Sequence, residues 1–307
     1  MSEHSPSLAV YGRQRRVASL RRLADSPWPF ILPSVACLVA ISLYPLVASL
    51  LLSFQEYRFE QGVFVPVGLA NYAAILNDPD FRTAFGNTVI FTIATVLLEI
   101  VLGLALALFM TRRILGKGIL RAVLIIPMMT TPLVVGLMWR FLLNTDFGIV
   151  DYLLRVLVHM PPVNWLGSSP YSLISIIVVS VWEWTPFAFL IFTAGIEAIP
   201  IDILEAARSD GAGSVQLFWR IVLPLLKPLL SLVILFRGVD AFRAFDQVYS
   251  LTYGGPGRSS ATLSFLTYLD FGYSRLGLAS AKAYVILVVI VVGVTLYRAQ
   301  VLKWFQR

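Results

Sequence analysis

The chain has 307 residues, 58% of them hydrophobic and only 13% charged. Soluble domains carry about 45–50% apolar and about 25% charged residues, so a water-soluble globule is excluded and lipid is the expected solvent. The formal charge of +7 does not indicate a nucleic-acid partner, because the basic residues gather in short runs between apolar stretches, as in chains oriented across a bilayer.

Residues 1–27 are polar and basic (Arg13, Arg15, Arg16, Arg21, Arg22) and read as a mostly disordered cytoplasmic tail. The apolar run that follows is too long for a signal-peptide core, and no small-residue cleavage site follows it. A spanning helix needs about 20 apolar residues. Six runs qualify: Trp28 to Phe54, Thr83 to Thr111, Ala122 to Leu143, Tyr171 to Gly195, Pro228 to Tyr249 and Leu278 to Leu302. Pro127 and Pro132 are expected to kink or unwind the third, with Thr130 and Thr131 satisfying the freed carbonyls. The expected fold class is all-α: a polytopic permease domain over 28–302, with residues 303–307 as a cytoplasmic C-terminus.

About 15 Lys and Arg fall in the two tails, the 112–121 loop and the 196–227 loop, against about 7 on the other side. The first set is therefore expected to be cytoplasmic, with both termini inside. The opposite loops, 55–82, 144–170 and 250–277, hold Tyr, Trp, Pro and Gly and are expected to fold into short interfacial helices and caps. Cys37 is the only cysteine, so no disulfide framework or thiol metal site exists.

The segment from Ile199 to Pro228 is longer than helix connections usually are. Asp202 is placed to cap a helix with Glu205 completing a capping box, and Gly211 and Gly213 suit a left-handed C-cap. Ser214 is expected to cap a second helix, which Pro224 and Pro228 would end. Ala206 and Ala207 leave one face nearly featureless, open to close approach by another backbone. Two readings stand on the residues alone: a docking element for another protein, or an amphipathic loop resting on the membrane.

Six ionisable residues fall at membrane depth: Glu99, Glu183, Arg237, Asp240, Arg243 and Asp246. Each costs at least ~2.5–3.5 kcal/mol at a helix centre, so each is a functional candidate. The last four recur every third residue on the fifth run, alternate in sign, and read either as the lining of a translocation path or as interhelical ion pairs. Asp246 is expected nearest the outer surface, as a cap. Glu183 sits between Trp182 and Trp184, a pattern that suits a sugar and equally an interfacial aromatic belt. Glu99 is expected to be packed and hydrogen-bonded in the interior, beside a small-residue face of Gly103 and Ala107.

Glu205-Ala206-Ala207, Gly211, Ile221, Leu223 and Pro224 stand at the spacing of the EAA motif, and the chain resembles the permease subunits of binding-protein-dependent ABC importers. Gly68-Leu69-Ala70-Asn71-Tyr72, Asn87-Thr88, Phe245-Asp246-Gln247-Val248-Tyr249 and Leu251 through Gly257 are similar to segments of the carbohydrate branch, the maltose and glycerol-3-phosphate type. The resemblance implies a type I importer permease fold in a bacterial inner membrane, with a second homologous permease, two ATPase subunits and an extracytoplasmic binding protein as partners. It implies no cofactor in this chain, ATP and Mg being held by the ATPase subunits, and a carbohydrate as cargo. No G-x-x-x-x-G-K-[ST] phosphate loop occurs, so the chain is not expected to be an enzyme. The two arginines at depth also permit an anionic cargo, and a gradient-driven secondary transporter is the competing class, although no repeat is visible.

Overall fold

The computed structural model describes residues 28–58, 61–111 and 115–305. The expected N-terminal tail, Arg112, Arg113 and the last two residues lie outside them. The chain divides into two units, residues 1–52 and 53–307. The described part of the first is helix α1 (Trp28–Ser53), apolar on every side, with Pro33 and Pro45 inside it.

The second unit opens on a hairpin of β1 (Gln55–Arg58) and β2 (Val63–Pro66), which the run-by-run reading missed because helices dominate the composition. Asn71 holds it, donating from Nδ2 to Ser53 O and Gln55 O at 2.9 Å each, and the Tyr72 hydroxyl meets Ser53 Oγ at 2.8 Å. Helix α2 (Ala70–Asn77) leads into α3 (Pro79–Met110), where the Asp78 side chain accepts from Asp80 N and Pro79 occupies the first turn.

The third apolar run is broken. Helix α4 (Lys117–Ile125) passes through a 3₁₀ turn (Ile126–Met129) to α5 (Pro132–Leu142), the two halves bent by 100°. The prolines account for the break. Thr131 precedes α5 without a side-chain cap bond. With a rise of 1.5 Å per residue, α5 reaches only about 16 Å, half of a ~30 Å hydrocarbon core, so this run crosses only as a bent pair.

Helix α6 (Ile149–Val158) is followed by α7 (Tyr171–Glu197) and α8 (Ile201–Ser209). Helix α9 runs unbroken from Ser214 to Phe242, with a π turn at Phe218–Val222. The expected boundary at Pro224 and Pro228 is therefore corrected. The widened π turn lies just ahead of the proline rings and accommodates the helix where a regular coil would clash. Helices α10 (Asp246–Leu251), α11 (Leu263–Gly272) and α12 (Leu276–Phe305) complete the chain. Among the described residues five helices are long and apolar enough to span a bilayer, and six spans result if the bent pair counts as one.

The core sits where α3 meets α7. A Cβ added to Gly103 would stand 2.7 Å from Ala188 Cβ and 2.8 Å from Phe189 N, so this glycine sets the interhelical distance. Ala107, Phe189, Phe192 and Leu226 of α9 fill the space beside it, all buried. At one end, Asn87 donates to Arg258 O and Ala261 O (3.1 Å each) while Thr88 Oγ1 accepts from Leu263 N at 3.0 Å, fixing the 255–262 loop on α3. Lys282, 3% exposed, reaches Asp270 at 2.7 Å and Asp78 at 3.3 Å at that end. At the other end Arg121 and Lys117 of α4 both pair with Glu197, the last residue of α7.

Candidate functional site

Two regions concentrate the candidate residues. The first is the 199–227 segment. Helix α8 buries no residue completely. Leu204 and Ile199 pack against the core around Phe192, Ala207 is half-buried, and Glu205, Ala206 and Arg208 are exposed. The helix therefore grips the bundle along one edge and presents the rest. The expected capping box is absent: Pro200 holds the N-cap position, Asp202 lies inside the first turn, and no side chain caps the helix. Gly211 does take the left-handed conformation, φ +83°, which a residue with a Cβ adopts only with strain. Gly213, at φ −69°, precedes α9 instead, so Ser214 is its first residue rather than its cap. Ile221, Leu223 and Pro224 are half-buried in and just after the π turn.

The second region is a cavity of about 130 Å³ lined by Trp184, Arg237, Asp240, Arg243, Asp246 and Gln247, among others. Arg237 is its hub. Its Nε donates to Glu99 Oε2 at 2.7 Å and its Nη2 to Glu99 Oε1 at 2.9 Å, a bidentate pair linking α9 to α3. Nη1 donates to Asp240 Oδ2, and the guanidinium carbon lies 4.4 Å from the Trp184 ring centroid. Glu99 is fully buried and Arg237 is 3% exposed, so the interior pairing expected of Glu99 is present, with Arg237 as its partner. The guanidinium is committed on all sides.

Glu183 is also fully buried, accepting from Gln247 Nε2 through Oε2 while Oε1 has no partner among the described residues. The tryptophans flanking it diverge, because neighbours on a helix point about 100° apart. Trp184 lies under Arg237, whereas Trp182 packs edge-on against Trp139 with centroids 5.5 Å apart and does not line the cavity.

The fifth run ends sooner than expected. Arg243 is the C-cap of α9, Ala244 and Phe245 leave the helical path, and Asp246 begins α10. Arg243 and Asp246 are therefore not on the spanning helix but at its break, both exposed and both lining the cavity. Gln247, Phe245, Ser180 and Pro132 also line it and were not singled out from the sequence. The Phe245 to Tyr249 block marked the segment without giving their roles. Beyond the break Phe245 contacts Tyr249 and Tyr268 at 5.5 and 5.0 Å, and the phenol of Tyr268 is held above its ordinary pKa by the Tyr249 hydroxyl beside it.

The family model described as "Binding-protein-dependent transport system inner membrane component" matches residues 99–305. The trehalose/maltose transport system permease protein MalF of Thermococcus litoralis is 35% identical over 264 residues, covering 85% of this chain and 88% of the relative. The trehalose transport system permease protein SugA of Mycobacterium tuberculosis is 34% identical, covering 91% and 88%. The sn-glycerol-3-phosphate transport system permease protein UgpA of Agrobacterium fabrum is 36% identical, covering 76% and 79%. A chain of a bacterial ABC transporter that imports the acidic polysaccharide alginate shares the fold, with a TM-score of 0.78 at 19% identity over 96% of this chain and 99% of that one.

Proposed function

The chain belongs to the family of binding-protein-dependent transport system inner membrane components, and we propose that it is one permease subunit of an ATP-driven importer that moves a carbohydrate across the inner membrane of a bacterium. In this reading a second homologous permease completes the passage, and two ATPase subunits holding ATP and Mg dock on the cytoplasmic side. An extracytoplasmic binding protein delivers the sugar. The chain itself holds no cofactor and hydrolyses nothing. Both termini lie inside.

The observation that carries the coupling role is α8: a nine-residue helix, anchored by Leu204, half-buried at Ala207 and exposed at its other residues, closed by a left-handed Gly211. Alanines 206 and 207 let a partner's backbone approach closely. The pairs from Lys117 and Arg121 to Glu197 tie α4 to the base of the same loop, so a push on α8 reaches the bent third span and α7 together.

Carbohydrate rather than anionic cargo follows from the cavity. Arg237, the deeper of the two arginines, is spent on Glu99 and Asp240. Two aspartates line the space beside two arginines, so the lining carries no net positive charge with which to hold an anion. Permease relatives named for trehalose and maltose cover most of this chain.

The test is uptake in proteoliposomes holding the complete complex and its binding protein. Trehalose or maltose should enter only with ATP inside the ATPase compartment. Uptake driven by a proton gradient without ATP would refute the reading. Replacing Ala207 with Trp should strip the ATPase subunits from the purified complex; their retention would refute the docking role of α8.

A further inference from the structure

Ile149, Tyr152, Leu153, Val156 and Leu157 of α6 are all exposed, Leu157 to 72%. At about 100° per residue they fall within about 140° of arc, one continuous apolar face. Val150, Asp151 and Leu154 turn the other way and are buried or half-buried. The charges of the helix stay off the open face. Asp151, 1% exposed, accepts from Val163 N at 3.1 Å, which pins the following loop to the closed side, and Arg155 Nε lies 3.1 Å from its other oxygen. A contiguous apolar face of this kind marks a binding surface for protein or membrane.

The neighbours of α6 fix its height. Helix α7 has 27 residues and measures about 40 Å at 1.5 Å per residue, the thickness of a bilayer with its polar regions. Its Glu197 end leads into α8, so Tyr171 stands at the opposite membrane surface. Leu143 just after α5, Val150 of α6, and Trp165 and Leu173 share one apolar cluster, so α5, α6 and α7 meet at that surface. Trp165 lies edge-on to Tyr171 with centroids 5.9 Å apart, and such rings favour the headgroup level. Helix α6, with ten residues, is about 15 Å long and cannot cross a bilayer.

We propose that α6 lies flat in the leaflet opposite α8, with its 149–157 face sunk among the upper acyl chains, and anchors the bent third span there. The side chains of the face choose lipid over a protein cover. Helices that pack on one another in a membrane use small residues, as Gly103 does against Ala188, and the five residues of this face are all large. A soluble partner's docking surface is about as polar as the rest of a protein, whereas the phenol of Tyr152 is the sole polar group here. Helix α5 starts at Pro132, which lines the cavity, and ends beside α6, so an anchored α6 holds the far end of the half-span that borders the cavity. The anchor holds for any cargo and does not depend on the coupling role of α8.

The experiment places a nitroxide at Leu153→Cys, at Val156→Cys and, as a control in the exposed loop before α6, at Asp146→Cys. Each is made in a Cys37→Ser background, which removes the one native cysteine of this chain, and reconstituted with cysteine-free partner subunits in liposomes. Oxygen concentrates among acyl chains and a nickel chelate stays in water. At 153 and 156 oxygen should relax the label about fivefold more than the chelate, and at 146 the order should reverse. A preference for the chelate at 153 and 156 puts the face in water and overturns the anchor. Low collision with both reagents means that a second permease or the binding protein covers the face, and overturns it as well. In the unsubstituted complex, a phospholipid carrying a diazirine on its upper acyl carbons should label the 149–157 stretch on irradiation; peptides from that stretch free of adduct overturn the anchor with no substitution involved.

Discussion

The Arg237–Glu99 pair provides the sharpest quantitative test of this fold. Replacing Glu99 with Leu leaves a guanidinium that is 3% exposed with only the Asp240 side of its pairing. Breaking one partner of a buried pair costs about 3–5 kcal/mol. The retained Asp240 bond and the Trp184 ring offset part of that, so about 3 kcal/mol is expected, over a hundredfold in the folded-to-unfolded ratio. Arg237→Met leaves Glu99 buried without a donor and should cost about as much. The double variant removes both charges and replaces them with apolar volume, which is often close to neutral. Its loss should fall at least about 2 kcal/mol below the sum of the two single losses. Reversible unfolding of the purified permease in mixed micelles measures all four corners of the cycle. A coupling under about 0.5 kcal/mol would mean that each charge finds other partners, and the hub would be refuted.

Two further outcomes probe the packing around it. Gly103→Val would push a side chain into Ala188 and the Phe189 backbone, where no flexible atom can yield, so it should destabilise the α3–α7 contact by about 1–3 kcal/mol or prevent folding; a variant as stable as wild type in the same unfolding assay would contradict the close crossing. Lys282→Met leaves Asp270, which is 5% exposed, with only the longer Arg275 contact, and should cost about 3 kcal/mol; Asp270→Asn added to it should recover part of the loss, and no recovery would tell against a shared ion cluster.

How much of this was legible in the sequence depends on whether a feature follows from composition or from a partner far along the chain. The apolar runs placed the ends of α1 and α7 closely, because a helix in lipid satisfies its own backbone and needs only length. The small-residue face at Gly103 and Ala107 was visible for the same reason: nothing but close packing uses it. The capping box at Asp202 and Glu205 had the right spacing but did not form. Pro200 already begins the helix, and exposed backbone donors there can bond to water. The β1–β2 hairpin was hidden because its braces, Asn71 and Tyr72, come after it in sequence and only the fold brings them back.

The cavity shows the same limit most clearly. Two helix breaks border it: Pro132 comes from the first, Arg243 through Asp246 from the second. Prolines announce the first break. Nothing announces the second, since from Val239 to Tyr253 there is no proline or glycine, and a regular three-residue row of charges there argues for a continuous helix. What the row conceals is a division of labour. Arg237 and Asp240 still lie on the helix and spend their charges on Glu99 and on each other, whereas Arg243 and Asp246, one step past its end, keep theirs. A continuous α9 would have carried all four along one slowly drifting face, where each would need a buried partner to offset the cost of sitting in lipid. Ending the helix after the second of them leaves the other two, exposed at the break and lining the same cavity, without an ion pair among the described residues.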